Sequence, residues 1–224
     1  MLLEISSLLN EAQLRKIHEI LAVASFRDGR LTAGRYAARV KNNEEMRQEP
    51  QQMQTLARIV MSALGHNDTF KSAALPFRVA DPIFARYQPG MTYGDHVDDP
   101  IMGSGGPRFR SDVSMTVFLH APQTYDGGEL VVRTSFGERR VKLAAGDAVI
   151  YPSSSLHRVE SVTQGERLVC LTWIQSYVKD AQRRELLYEL NLAREELMRT
   201  APETTTTGYL DKSYANLLRM WSEL

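Results

Sequence analysis

Two stretches, Tyr87-Gln-Pro-Gly-Met-Thr-Tyr-Gly-Asp-His-Val-Asp98 and Gly146-Asp-Ala-Val-Ile-Tyr-Pro-Ser-Ser-Ser-Leu-His157, bracket the part of the chain that decides its architecture. Around them, short runs rich in Val, Ile, Phe, Tyr and Thr alternate with turn residues, which is strand chemistry. These runs predict strands near 78–88, 111–119, 129–133, 138–143, 147–151, 157–163 and 166–177. Asp126-Gly127-Gly128 and Ala145-Gly146-Asp147 supply turns. Several short strands at this spacing point to a sandwich, a jelly roll or a barrel.

The same two stretches carry the chemistry. His96 and Asp98 are two residues apart, so in an extended segment their side chains share a face. Pro89-Gly90 bends the chain just upstream and places the pair near a barrel mouth rather than mid-sheet. A third ligand has to come from a neighbouring strand, and His157 follows a Gly-Asp turn, a buried-looking strand and a small-residue corner. Two imidazoles and one carboxylate on one face, with other positions open, form the facial triad of non-haem iron(II) oxygenases. An exposed polar loop with Asp98 and Asp99, and a strand-end histidine facing solvent, are the plainer readings of the same residues.

The run after Glu166 bears on the choice. Alternation puts Arg167, Val169, Leu171 and Trp173 on one face and Leu168, Cys170, Thr172 and Ile174 on the other. Both faces are largely apolar, and arginine is seldom buried without an anion. A guanidinium there suits a carboxylate held by paired hydrogen bonds, although Glu160 or Glu166 would also serve as partner. With three protein ligands, a metal keeps about three positions free. A 2-oxo acid fills two and dioxygen the third, with Arg167 on the far carboxylate. Cys170 reads as an inert core thiol, Trp173 as a pocket wall, and His120 as a strand-end residue.

Outside this region the pattern is helical. Asn10 and Gln13 form a capping signature ahead of Leu14, Ile17, Ile20, Leu21 and Ala24, and Asp28-Gly29 reads as the end of that helix. Residues 30–41 read as an edge strand. Pro50 precedes a second helix, with Met53, Leu56, Ala57, Val60 and Leu64 on one stripe and Gly65 as its stop. His18 and His66 fall in these helical parts, without a partner ligand at useful spacing. Gly103 to Gly106 reads as a lid loop. Asp180 caps a helix carrying Leu186, Leu187, Leu190, Ala193 and Leu197. Residues 202–208 read as a loop, and a last helix carries Leu210, Tyr214, Leu217 and Trp221. The apolar stripes of this tail need a surface, either the chain's own barrel or a second subunit in a homo-oligomer.

Composition narrows the class. The chain has 224 residues, 43% of them hydrophobic, and 27 basic residues balance 27 acidic ones. Zero net charge argues against a generic electrostatic partner such as nucleic acid or an acidic membrane. The single cysteine allows no intrachain disulfide. Glu4 breaks the N-terminal apolar run and no stretch is long enough to span a bilayer, so a soluble cytoplasmic protein is expected.

Tyr87-Gln-Pro-Gly, His96-Val-Asp98, Asp126-Gly-Gly-Glu-Leu, Gly146-Asp-Ala-Val-Ile-Tyr-Pro and His157-Arg-Val, then Arg167 and Trp173, together resemble iron(II)/2-oxoglutarate dioxygenases. Asp28-Gly-Arg-Leu-Thr-Ala-Gly34, Val40-Lys-Asn-Asn43 and Trp173-Ile-Gln-Ser176 narrow the resemblance to the bacterial PKHD-type hydroxylases. The resemblance covers nearly the whole chain; Phe26, where tryptophan is expected, departs from it far from the ligands. It implies an α+β, mainly β protein: a double-stranded β-helix (jelly roll) core at 77–178, flanked by an N-terminal helical region at 1–76 and a C-terminal helical region at 179–224. It implies Fe(2+) on His96, Asp98 and His157, and 2-oxoglutarate on Arg167. Tyr87 is placed to donate its hydroxyl to 2-oxoglutarate and fits equally as a buried structural tyrosine. L-ascorbate as reductant, a small-molecule or peptide substrate hydroxylated with molecular oxygen, and a link to bacterial iron uptake also come with the family. A cupin-type metal enzyme, or a metal-binding sensor without turnover, are the competing readings.

Overall fold

Alternation along Val113–Phe118 sets the layering of the molecule. Val113, Met115 and Val117 point to one apolar cluster, while Phe118 points to a second on the other side of the sheet. The computed structural model describes residues 1–47, 49–103 and 108–223.

The N-terminal part runs β1 (Leu3–Ile5), α1 (Glu11–Ala22), β2 (Phe26–Asp28), α2 (Ala37–Val40), β3 (Lys41–Asn42), β4 (Glu44–Met46), α3 (Pro50–His66) and α4 (Asp68–Ala74). The β-rich part follows with β5 (Pro76–Val79), β6 (Ile83–Tyr87), β7 (Thr92–His96), β8 (Ile101–Met102), β9 (Phe109–Arg110) and β10 (Val113–Phe118). It continues with β11 (Tyr125–Gly127), β12 (Leu130–Thr134), β13 (Gly137–Val141), β14 (Ala148–Pro152), β15 (His157–Val159), β16 (Val162–Gly165) and β17 (Arg167–Ser176). Helices α5 (Ala181–Thr200) and α6 (Thr205–Trp221) close the chain.

Eight strands make the larger sheet, in the order β1-β14-β10-β17-β6-β4-β2, with β5 also on β17. The second sheet runs β13-β12-β15-β7-β3. Its Leu130, Val132, Val141 and Val159 meet Ala85, Phe118, Val149 and Val169 of the larger sheet in one interior cluster. On the larger sheet's outer face, Met115, Ile150, Cys170 and Ile174 pack against Ile17 and Leu21 of α1, Leu56 and Val60 of α3, and Phe70 of α4. Each such side chain taken fully out of water contributes roughly 1.5–3 kcal/mol, so these helices are held by the sheet.

Asn10 and Gln13 form the expected capping box. The first helix ends sooner than expected, at Ala22, because Phe26–Asp28 is drawn into the sheet against β4. Residues 30–41 are not an edge strand: a 3-10 turn (Gly29–Thr32) and α2 precede the two-residue β3. Gly65 does not stop its helix, which passes through it to His66, and Asn67 then caps α4 through its side chain to the Phe70 amide. The expected loop at 202–208 is shorter than read. Thr204 accepts from the Thr207 amide and α6 begins at Thr205, so three of the threonines lie in a helix. Within the predicted lid at 103–106, residues 104–106 lie outside those described.

The tail docks on its own chain. Leu187 and Val178 are buried with Leu75, and Tyr214, Leu217, Leu218 and Trp221 pack against them. Arg184, buried at the start of α5, donates to the carbonyls of Val178, Lys179 and Asp112, which pins the tail to the residue just before β10. Among the described residues, no helix is long and apolar enough to cross a membrane.

Candidate active site

β15 lies between β12 and β7, with His157 directly opposite His96. The next pairing joins Val159 to Tyr93, so three residues of β7 span the distance of two on β15. This bulge lets Tyr93 and His96, three apart, both face the interior, which regular alternation forbids. Their rings stack with centroids 3.6 Å apart. Asp98 follows beyond the strand end, and its Oδ1 lies 3.9 Å from His96 Nε2 and 3.8 Å from His157 Nε2. The three candidate ligand atoms all lie within 4.8 Å of one another, a span that one metal ion can fill.

Each side chain is set by a hydrogen bond on its other side. His96 Nδ1 lies 2.7 Å from the Gly94 carbonyl and His157 Nδ1 3.0 Å from that of Ser155. A carbonyl only accepts, so both Nδ1 atoms carry the proton and both Nε2 lone pairs face the shared space. Asp98 Oδ2 accepts from the Ser114 hydroxyl at 2.5 Å and from the Trp173 indole at 2.9 Å, which leaves Oδ1 toward the histidines. Burial, reinforced by His157 alongside, pushes the His96 pKa down to about 4, so near neutral pH its imidazole is uncharged. A neutral imidazole is the ligand form.

The surrounding cleft holds about 590 Å³ and is lined by Tyr87, Tyr93, the three candidate ligands, Tyr151, Arg167, Leu171 and Trp173. Arg167 and Trp173 thus share the face that alternation assigned to them. Trp173 also orients Asp98, a role beyond that of a wall. Arg167 is 1% exposed, and its Nε and Nη1 are buried without a hydrogen-bond partner. Neither Glu160 nor Glu166 pairs with it; Glu160 is taken by Arg140 and Arg158. Tyr87 pairs with Arg167 across β6 and β17 and is 1% exposed. Burial, partly offset by the Arg167 guanidinium, pushes its pKa up to about 12, so it remains a hydroxyl donor. Two orphan guanidinium nitrogens and a neutral phenol, all buried in the cleft wall, fit a carboxylate.

Other supports escaped the sequence reading. Lys41 and Glu45 form a buried ion pair at 2.5 Å, and Thr32 donates to the same carboxylate. Lys41 Nζ sits 5.2 Å from the centre of the Tyr93 ring. Gly29 backs this cluster, where a Cβ would sit 2.0 Å from Asn43 Oδ1. Ser114 was within reach, since alternation from Val113 turns it inward; Tyr93 was not, because the bulge leaves no mark in composition. The remaining histidines stay out. His18 and His120 stack at 5.3 Å on the helix side, bonded to the Leu119 and Glu166 carbonyls, and His66 bonds to the Ser62 carbonyl of its own helix. Cys170 is fully buried in the outer cluster, away from Arg167, and burial pushes its thiol pKa up.

Residues 82–175 match the family model of the 2OG-Fe(II) oxygenase superfamily, and residues 180–223 match that of the PKHD-type hydroxylase C-terminal domain. A PKHD-type hydroxylase of Thioalkalivibrio sulfidiphilus is 53% identical over 224 residues, covering all of both chains. This chain belongs to the PKHD-type hydroxylase family. One from Synechococcus elongatus is 46% identical over 223 residues, again at full coverage of both. Membership makes the protein an oxidoreductase, a 2-oxoglutarate- and iron(II)-dependent dioxygenase. Among solved structures, a Pseudomonas putida prolyl-4-hydroxylase aligns with a TM-score of 0.54 at 18% identity, over 78% of this chain and 92% of the other. A Trichoplax adhaerens prolyl hydroxylase aligns at 0.57 and 15% identity, over 83% and 86%. At that identity the likeness speaks to fold, and the fold is the jelly roll expected from the sequence.

Proposed function

We propose that this enzyme hydroxylates a C–H bond of a small-molecule or peptide substrate at an iron held by His96, Asp98 and His157, with 2-oxoglutarate anchored by Arg167. The observation that carries the reading is the pairing of a convergent His-Asp-His set with an orphan buried guanidinium in one cleft. Ferrous iron, when bound, supplies dioxygen activation: one oxygen atom goes into the substrate C–H bond and the other into succinate, as 2-oxoglutarate loses carbon dioxide. His96 and His157 offer neutral nitrogens, and Asp98 supplies one negative charge against the dication. Arg167 and Tyr87 fix the far carboxylate, so the 2-oxo acid end of the cosubstrate is turned toward the ligands. Tyr151, buried with its pKa raised well above the usual tyrosine value, stays neutral and keeps that wall of the cleft uncharged. L-ascorbate enters as a reductant that preserves ferrous iron.

Iron-dependent conversion of 2-oxoglutarate to succinate by the full-length protein tests the reading; tight iron binding with no 2-oxoglutarate consumption under any substrate would speak for a sensor. Arg167→Lys keeps the charge but loses the fork. It is expected to weaken 2-oxoglutarate binding to the manganese-loaded protein, and Arg167→Ala more so. Loss of one charge-assisted contact amounts to roughly 1.5–3 kcal/mol, or about ten- to hundredfold in affinity. Calorimetric titrations that return wild-type affinity for Arg167→Ala contradict the anchor. The exposed Leu186, Leu192, Met198 and Met220 of the tail support a homo-oligomer through α5 and α6. Light scattering that finds only monomer at every accessible concentration rules that out.

A further inference from the structure

The cleft holds a second arginine with an orphan nitrogen, and the proposed function leaves it unused. Arg27 lines the cleft from β2, and its Nε is buried with no hydrogen-bond partner. Its direction follows from register. Arg27 stands opposite Glu45, Glu45 opposite Ala85, and Ala85 opposite Val169. Residues in one cross-strand row share a face. Ala85 and Val169 belong to the interior cluster, so Arg27 enters the cleft from its side wall. Three strand spacings separate its backbone from that of Val169, about 14 Å, and Arg167 lies two residues before Val169 on β17, so the two arginines enter the cleft from different strands.

The acids nearest in the sheet are already engaged. Glu45 is held by Lys41 at 2.5 Å and by the Thr32 hydroxyl. Asp28, one residue along, turns the other way and pairs with Arg30. The other carboxylates of the cleft wall, Asp81 and Asp99, form no ion pair with Arg27 among the described residues. A partly desolvated guanidinium held without a counter-charge costs free energy unless an anion arrives. The distal carboxylate of 2-oxoglutarate is answered by Arg167. The cleft wall also carries apolar side chains, Leu31 and Ala37 on the segment after Arg27 and Ile101, Met102 and Phe109 further along the chain, beside the polar Thr32 and Lys41.

We infer that Arg27 is the anion anchor of the prime-substrate subsite, so that the hydroxylated substrate carries a carboxylate on an apolar body. The inference deepens the hydroxylase reading and rests on it. The substrate's anionic end is held at the side wall by Arg27 while its apolar body lies along the cleft between the two arginines.

The test uses full-length protein loaded with manganese and saturating 2-oxoglutarate. Benzoate, phenylacetate and 3-phenylpropionate are titrated in parallel with their amides, and binding is read by calorimetry and by thermal shift. At least one acid is expected to bind where its amide does not. Arg27→Gln is expected to weaken that acid at least tenfold, with near-UV circular dichroism confirming the fold. Arg27→Met, which keeps the stem's packing, decides the matter if the glutamine variant misfolds. Acids and amides binding alike to the wild type, no acid binding at all, or wild-type affinity in the folded Arg27 variant each overturn the assignment. So does an acid that 2-oxoglutarate displaces and that Arg167→Gln abolishes, because it marks the cosubstrate anchor. Binding of 2-oxoglutarate alone is titrated separately; its failure, with acid discrimination at Arg27 intact, counts against the hydroxylase reading and not against the subsite.

Discussion

His96→Ala and His157→Ala are each expected to abolish stoichiometric iron binding, and turnover with it, while the protein stays folded. The expectation follows from how the three side chains are held. Each imidazole is fixed by a carbonyl on Nδ1 and offers one Nε2, and Asp98 offers one oxygen because Ser114 and Trp173 occupy the other. A metal there has no spare protein ligand among the described residues, since this is the only convergent His/Cys/Asp/Glu group they contain. Removing an outer-sphere partner of a metal ligand typically costs 10–100-fold in affinity. Loss of a ligand itself should therefore exceed about 100-fold, and Ser114→Ala should fall within that smaller range. Folding survives because the interior cluster around Phe118, Leu130 and Val169 does not use these rings. Iron analysis after anaerobic loading and desalting provides the check. Undiminished iron in both histidine variants sinks the assignment of the site.

Much of this was legible because strand alternation and turn chemistry are local. Arg167 and Trp173 on the cleft face, Cys170 on the helix face, and the Asn10 capping box all follow from spacing alone. The errors fall where tertiary contact overrides local pattern. Phe26–Asp28 reads as the end of a helix but is claimed by β4, and Gly65 reads as a stop but is carried through by the buried Val60, Ala63 and Leu64 around it. Residues 30–41 have mixed character because they wrap the cleft and join a sheet only at Lys41: Leu31, Thr32, Ala33, Gly34, Ala37 and Lys41 all line it. Nothing in periodicity announces a segment whose partner is a cavity. The bulge in β7 is the same kind of case, a register shift that exists only once β15 lies beside it.

Glu45→Ala is expected to cost the protein more stability than any single change in the ligand set. Lys41 and Glu45 are 7% and 3% exposed, so neither charge has water to fall back on. Removing one partner of such a pair leaves an uncompensated buried charge, typically a loss of 3–5 kcal/mol. For a chain of this size that lowers the melting temperature by roughly 6–20 °C. The Thr32 hydroxyl also loses the carboxylate it donates to and keeps only the Gly29 carbonyl of its own turn as acceptor. The damage reaches the site by contact: Lys41 lies over the Tyr93 ring, and Tyr93 stacks on His96. The paired change Lys41→Met with Glu45→Leu removes both charges together and should recover most of the lost stability, since well-packed apolar residues often replace a buried ion pair without loss. It should not restore the site, because the cation above Tyr93 is gone. Thermal unfolding of the single and paired variants separates these effects. A Glu45→Ala protein melting within a degree of wild type would mean that Lys41 finds another partner or reaches water, and the buried pair would then be incidental to the fold.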